Sequence, residues 1–287
     1  MIWRCRDLTF ELDPRVLVMG VLNVTPDSFS DGGRHLEPAD ALAHARRLAS
    51  EGADVIDVGA ESTRPGAEPV DPEEQWRRLE PVIGPLAREG RCVSVDTASA
   101  IVAARALQAG AAIVNDVTAL SDPAMAEVAA KDGAGVVLMH MRGTPPTMQH
   151  DPGYSDVVRE VREELAARLA AARAAGIAED RIVCDPGIGF GKALEHNLEL
   201  IARLGELAPL GRPILIGASR KSFLGKLSGA GVEDRLAGGL AAHALAVWNG
   251  ATVVRTHDVA ETVQAIAVAR AVRSARGAQP APRSVRA

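Results

Sequence analysis

Asp96, Asn115 and Asp185 each close a short apolar run, and Arg64, Lys221, Arg255 and His257 follow other such runs closely. Carboxylates and an amide suit the edge of a flat, nitrogen-rich ring, because one carboxylate accepts two parallel N–H donors. Fixed cations suit a phosphate-type leaving group, whose charge they receive as it departs. Asn23 ends the first apolar run and offers an oxygen to Mg²⁺, a hard cation that prefers oxygen ligands and keeps several waters. Together these groups fit an electrophilic displacement with an anionic leaving group. The residue types alone do not name the substrate.

For such distant residues to act together, the elements before them must bring them to one place. A unit recurs along the chain: a helical stretch, a glycine, then four to six residues rich in Val and Ile, as in EGADVIDV, EGRCVSV, AGAAIVN, DGAGVVLM and NGATVV. Gly52, Gly90, Gly110, Gly133 and Gly250 stand where a helix stops in a left-handed residue. Apolar runs with little alternation read as strands covered on both faces, as in a parallel sheet. Between them, Val157, Val161, Leu165 and Leu169 fall on one helical face, and Asp71-Pro72 reads as an N-cap with Pro in the first turn.

The runs predict eight strands near 16–22, 54–58, 92–95, 112–115, 135–139, 182–184, 213–217 and 252–255. Eight strand–helix units with right-handed crossovers predict an α/β fold, a single-domain (β/α)8 TIM barrel over 14–273. A doubly wound open sheet is the alternative. Residues 1–13 are assigned to an N-terminal arm or hairpin under the barrel, and 274–287 to a disordered tail. In a barrel the polar strand ends (Asn23, Asp57, Asp96, Asn115-Asp116, His140-Met-Arg142, Asp185, Ser219–Lys221 and Arg255-Thr-His257) face one crevice at the C-terminal rim. A plainer reading of Asp96 is the N-cap of a helix over 98–109.

Composition narrows the classes. Thirty-two Lys and Arg against 37 Asp and Glu give a net charge of −5, which argues against a general binder of nucleic acid or membrane surfaces. Cys5, Cys92 and Cys184 form no C-x-x-C pair and read as buried apolar residues in a reducing, cytoplasmic setting. The uncharged stretch 236–254 is broken by Asn249-Gly250, against a membrane span. Gly187-Ile-Gly189-Phe-Gly191 lacks the spacing of a dinucleotide fingerprint, and Lys221-Ser222 lacks the glycines of a P-loop. No nucleophile elbow surrounds Ser219 or Ser222. His35, His44, His196 and His243 read as surface or packing residues.

MGVLNVTPDSFSDGG, DVGAESTRPGA, SVDT, NDV, MHMRGTP, DPGIGFGK, SRKSFLG and RTHDV, in this order from Met19 to Val259, resemble the dihydropteroate synthase family. The resemblance implies a homodimeric (β/α)8 barrel that uses Mg²⁺. It would join 4-aminobenzoate to 6-hydroxymethyl-7,8-dihydropterin diphosphate, release pyrophosphate and be a target of sulfonamides. Carried over, Asp96, Asn115, Asp185 and Lys221 form the pterin set. Asn23, Arg255 and His257 bind the anion, with Asn23 near the metal. Phe29, Asp31, Thr63, Arg64 and Pro65 from two loops, with Phe190 and Ser222, complete the pyrophosphate and 4-aminobenzoate sites. The catalytic group is then Asp96, Lys221, Arg255 and His257. Ala60 and Thr256 depart from the family pattern without replacing a chemical group. A methyl-folate:corrinoid methyltransferase shares such a pterin pocket but has no use for the Ser-Thr-Arg loop or Arg255-x-His257, and a non-catalytic pterin-binding paralogue is the third reading.

Overall fold

The computed structural model describes residues 1–12, 15–25, 38–62, 69–143, 148 and 152–277. The chain opens with an antiparallel hairpin, β1 (Ile2–Cys5) and β2 (Leu8–Glu11). Alternation along β1 buries Trp3 and Cys5 and leaves Ile2 and Arg4 outside. The indole N–H of Trp3 donates to the carbonyl of Arg181 at 3.0 Å, which satisfies its one polar atom beneath the barrel.

Strands and helices then alternate: β3 (Leu17–Asn23), α1 (Pro38–Ser50), β4 (Val55–Gly59), α2 (Pro72–Arg88), β5 (Val93–Asp96), α3 (Ala100–Gln108), β6 (Ile113–Asp116) and α4 (Pro123–Asp132). The second half follows as β7 (Gly135–Met139), α5 (Val157–Ala174), β8 (Ile182–Asp185), α6 (Leu194–Ala202), β9 (Leu215–Ile216), α7 (Ser222–Ser228), α8 (Leu236–Trp248), β10 (Val253–Thr256) and α9 (Val259–Gly277). Among the described residues eight strands form one parallel sheet in the order β8-β7-β6-β5-β4-β3-β10-β9. A parallel bridge from Cys184 to Ile214 joins its two ends, with the Cys184 N–H donating to the carbonyl of Pro213 at 2.9 Å. That closure makes the sheet a barrel and removes the open-sheet alternative.

Local sequence sets the element ends. Asp71 caps α2 by accepting from the Glu73 N–H at 2.9 Å, with Pro72 in the first turn where no donor is needed. Gly110, at φ +110°, ends the turn after α3, and an added Cβ would come within 2.6 Å of the Ala87 Cβ. Only glycine therefore lets α3 stop against α2. The uncharged stretch splits into α8 and β10 around Asn249-Gly250, and no described helix is long and apolar enough to cross a membrane. One boundary moves: α9 continues to Gly277, through residues 274–277 that the sequence assigns to the tail, and 278–287 lie outside the described residues.

Candidate active site

Side chains alternate across each strand, so the barrel interior can be read two residues at a time. Its lower layers are apolar: Leu17, Met19, Val55, Ile113, Val137, Val183, Leu215 and Val253 pack with Trp3 and Cys5 of the hairpin. Two residues further along the same faces stand Asp57, Asn115, Met139, Asp185 and Arg255. On β5 the inward series is Ser94 then Asp96. Pairing of Gly59 with Asp96, Asp96 with Asn115, and Met139 with Asp185 places these ends side by side. The interior thus turns from hydrocarbon to polar at its C-terminal mouth.

Arg255 is the hub of that layer. Its Nε donates to Asp57 Oδ2 at 2.7 Å and its Nη2 to Asp96 Oδ2 at 2.7 Å. Asn115 Nδ2 also donates to Asp57 Oδ2, at 3.0 Å, while Asp57 Oδ1 is buried with no hydrogen-bond partner among the described residues. Burial pushes the Asp96 carboxyl up to about 7, with Arg255 pulling it down and Asp57 pushing it further up. The paired acids hold the Arg255 guanidinium above its ordinary range against the effect of burial. The plainer reading of Asp96 fails: Ser99 caps α3, accepting from the Val102 N–H, so the Asp96 carboxyl is left to the barrel mouth.

Across the mouth, Asp185 is buried and its Oδ1 accepts from the Gly187 N–H at 2.7 Å. Burial raises its pKa, and Lys221, Lys192 and Arg255 oppose that rise. The turn that follows needs glycine: at Gly187, φ +70°, a Cβ would lie 1.9 Å from the carbonyl oxygen of His140. Lys221 Nζ stands 3.9 Å over the Phe190 ring, a cation–π contact. Phe190 packs with Val117, Met139 and Met148 into a small apolar wall. Buried Lys192 fixes that loop by donating to the carbonyl of Phe190 at 2.9 Å, and its Nζ lies 3.0 Å from His140 Nδ1. Burial pushes the Lys192 ammonium down to about 7.

After β10, His257 is tied to Ser219: its N–H donates to Ser219 Oγ at 3.3 Å and its Nδ1 lies 3.0 Å from the same atom. Ser219 Oγ donates to Asp258 Oδ2 at 3.3 Å, and Asp258 Oδ1 accepts from Arg220 at 2.8 Å. Arg220 holds the left-handed φ of 58°, and Arg235 donates to its carbonyl at 3.1 Å. Burial, then Arg255 and Arg220, push the His257 imidazole down to about 3.

The structure therefore brings Asp96, Asn115, Asp185, Lys221, Arg255 and Phe190 to one mouth. The part-buried Asn23 ends β3 on the same rim, paired in register with Gly59, itself the register partner of Asp96. Ser222 is exposed as the first residue of α7. Phe29, Asp31, Thr63, Arg64 and Pro65 lie outside the described residues.

The expectation that every polar strand end faces the crevice needs correction. Asp116 has the opposite parity to Asn115, and its carboxylate accepts from the N–H groups of Thr118 and Leu120. Thr256 faces outward to Thr262. The polar end of β7 turns to α5: His140 Nε2 stands 3.0 Å from Glu164 Oε2, and Arg142 bonds Glu160 at 3.1 Å. The sequence places Asp57 at the rim without giving it a role, and it leaves Lys192 out of the site. Asp57 carried a signal, the single charge inside the apolar run VIDVG. Lys192 carried none, since a lysine after a glycine-rich turn usually reads as solvated.

A family model described as pterin binding enzyme matches residues 19–257. The dihydropteroate synthase of Escherichia coli (strain K12) is 47% identical over 260 residues, covering 90% of this chain and 92% of the relative. A Yersinia pestis dihydropteroate synthase solved with a sulfonamide drug superposes with a TM-score of 0.90 at 45% identity, covering 96% of this chain and 100% of that one. A Xanthomonas albilineans dihydropteroate synthase solved with 4-aminobenzoic acid gives 0.88 at 47% identity, covering 97% and 99%.

Proposed function

The chain belongs to the pterin-binding enzyme family, among its dihydropteroate synthases, and on that premise we propose how its barrel mouth performs the condensation. The enzyme is a transferase that joins 6-hydroxymethyl-7,8-dihydropterin diphosphate to 4-aminobenzoate, giving 7,8-dihydropteroate and pyrophosphate. Pyrophosphate departs first, leaving a cationic methylene conjugated with the pterin ring, and the aromatic amine then attacks that carbon. Asp96, Asn115 and Asp185 hold the ring edge, with Lys221 beside it. The observation that carries this reading is Asp96: a buried carboxyl poised near neutrality gains most from a ring that becomes positive as its leaving group departs. Arg255 and His257 receive the departing charge. No strong base is required, because a neutral aromatic amine is already a nucleophile.

Phe190 and its apolar neighbours suit the flat face of 4-aminobenzoate, with Ser222 at the edge and Phe29, Asp31, Thr63, Arg64 and Pro65 contributed by two loops. A sulfonamide of matching shape would compete there. The donor chemistry fits Mg²⁺: Asn23 ends β3 at the rim and supplies an amide oxygen, the hard donor type this cation prefers. Asn23 would hold it, and when bound it neutralises charge on the diphosphate. Exposed Leu245 on α8 with Val268 and Val272 on α9 supports a homodimer, and three free, buried cysteines support a cytoplasmic setting.

The test is to mix the protein with Mg²⁺, the pterin diphosphate and 4-aminobenzoate and to measure pyrophosphate and dihydropteroate. Both should appear. Release of pyrophosphate without 4-aminobenzoate supports departure before attack, and failure to form dihydropteroate overturns the reading.

A further inference from the structure

We propose that Asp258, acting through Ser219, is a positioning residue that holds His257 as its Nδ1–H tautomer, so that His257 engages diphosphate only by taking a proton on Nε2. This rests on the reading of His257 as a group that receives the leaving anion.

A serine hydroxyl has one proton to give and two lone pairs to offer. Ser219 Oγ, itself buried, has three partners here: Asp258 Oδ2 at 3.3 Å, the His257 backbone N–H at 3.3 Å and His257 Nδ1 at 3.0 Å. The backbone N–H can only donate. The Asp258 carboxylate, held through its other oxygen by Arg220 at 2.8 Å, can only accept. One assignment satisfies all three contacts: Ser219 gives its proton to Asp258, and its lone pairs take the backbone N–H and an Nδ1–H. Nε2 then carries the bare lone pair. The reverse tautomer would turn the hydroxyl proton to Nδ1 and set a serine lone pair against the carboxylate.

The charges around the ring are Arg255 from β10, Arg220 and Lys221 from the segment between β9 and α7, and Asp258 itself. Burial and the three cations favour the neutral imidazole in the free enzyme. Diphosphate reverses that balance, since an adjacent anion favours the imidazolium. Nε2 takes its proton from solvent when the anion arrives and returns it when pyrophosphate leaves, with no change of electrons.

The test uses ¹⁵N-labelled enzyme, with His257→Gln identifying the His257 signals among the seven histidines. Near neutral pH the free enzyme should show a protonated Nδ1 and a bare Nε2, and inorganic pyrophosphate should move Nε2 into the protonated range. In Asp258→Asn the carbonyl oxygen must face Arg220, so the NH₂ faces Ser219, whose proton turns to Nδ1, and the tautomer inverts. Calorimetric titration with pyrophosphate in buffers of different ionisation enthalpy should then show roughly one more proton taken up by the parent enzyme than by Asp258→Asn. Should that variant fail to fold, Ser219→Ala keeps the Asp258–Arg220 pair, and its ring should lose the single tautomer. An Nε2–H tautomer in the parent enzyme, or equal proton uptake in parent and variant, overturns the proposal. Unchanged pyrophosphate affinity in His257→Gln would overturn the leaving-group reading of His257 and with it the proton uptake. The free-enzyme spectrum reads the tautomer independently.

Discussion

The ammonium of Lys221 lies 3.9 Å over the centre of the Phe190 ring, linking the proposed pterin side of the mouth to the proposed 4-aminobenzoate side. The contact is electrostatic and depends on the ring's negative face, so Phe190→Leu keeps the apolar wall but loses the attraction. We expect KM for 4-aminobenzoate to rise roughly 2- to 5-fold, the equivalent of a cation–π contact near a surface, with kcat changed less. Steady-state kinetics in both substrates would test this. A change confined to the pterin substrate would be the wrong outcome.

Asp96→Asn should lower kcat by about 100-fold or more, the usual consequence of removing one preorganised electrostatic partner. Ser99→Ala, three residues on, should cost about 1 kcal/mol of stability through loss of the α3 cap and leave the rate nearly unchanged. The two variants separate chemistry from folding at almost the same place in the chain. Equal losses of rate in both would contradict the assignment.

The pH dependence follows from the same carboxyl, pushed up from 3.8 to about 7 chiefly by burial. Ring binding in the charged form needs the carboxylate, so kcat/KM should fall on the acid side of about pH 7 and Asp96→Asn should lack that limb. Stability runs the other way. A raised folded-state pKa contributes stability that is present below about 3.8 and lost as pH rises through about 7. Urea titrations from acid to neutral pH should therefore show Asp96→Asn gaining on the parent enzyme as pH rises.

Asp57 is the fully buried acceptor shared by Arg255 and Asn115. Asp57→Ala would leave a cation and an amide facing a cavity, and should destabilise the fold by about 3 kcal/mol. Asp57→Asn should cost less. Chemical denaturation reads both, and a neutral Asp57→Ala would show that Arg255 finds all the support it needs in Asp96.

His243, buried in α8, accepts from the Ala218 N–H at 3.1 Å, and burial pushes its imidazole down from 6.5 to about 4. A depressed folded-state pKa contributes stability that is present above about 6.5 and lost as pH falls through about 4. His243→Gln keeps an acceptor without a titrating ring, so its stability should fall less steeply over that window. Parallel pH profiles for parent and variant would remove His243 from the acid response.

The sequence by itself determined the strand positions, because a glycine stop followed by an apolar run is a local signal: Gly110 before Ile113–Asp116 and Gly133 before Gly135–Met139 are legible within a few residues. Motif order made Asp96, Asn115, Asp185, Lys221, Arg255 and His257 candidates for the same reason. Which polar neighbour faces inward was not legible, since Asn115 and Asp116 are separated only by strand parity, and parity acquires meaning once the register around the ring is set. Nor was the Arg255–Asp57 pair, which joins residues 198 positions apart and forms only when β10 closes against β3 beside β4. His140 and Arg142, read as rim residues, are drawn away by acids on α5. Local propensity is written in neighbours along the chain. The identity of a buried charge's partner is decided by the low-dielectric interior that tertiary closure creates, where an unpaired charge is too costly to persist.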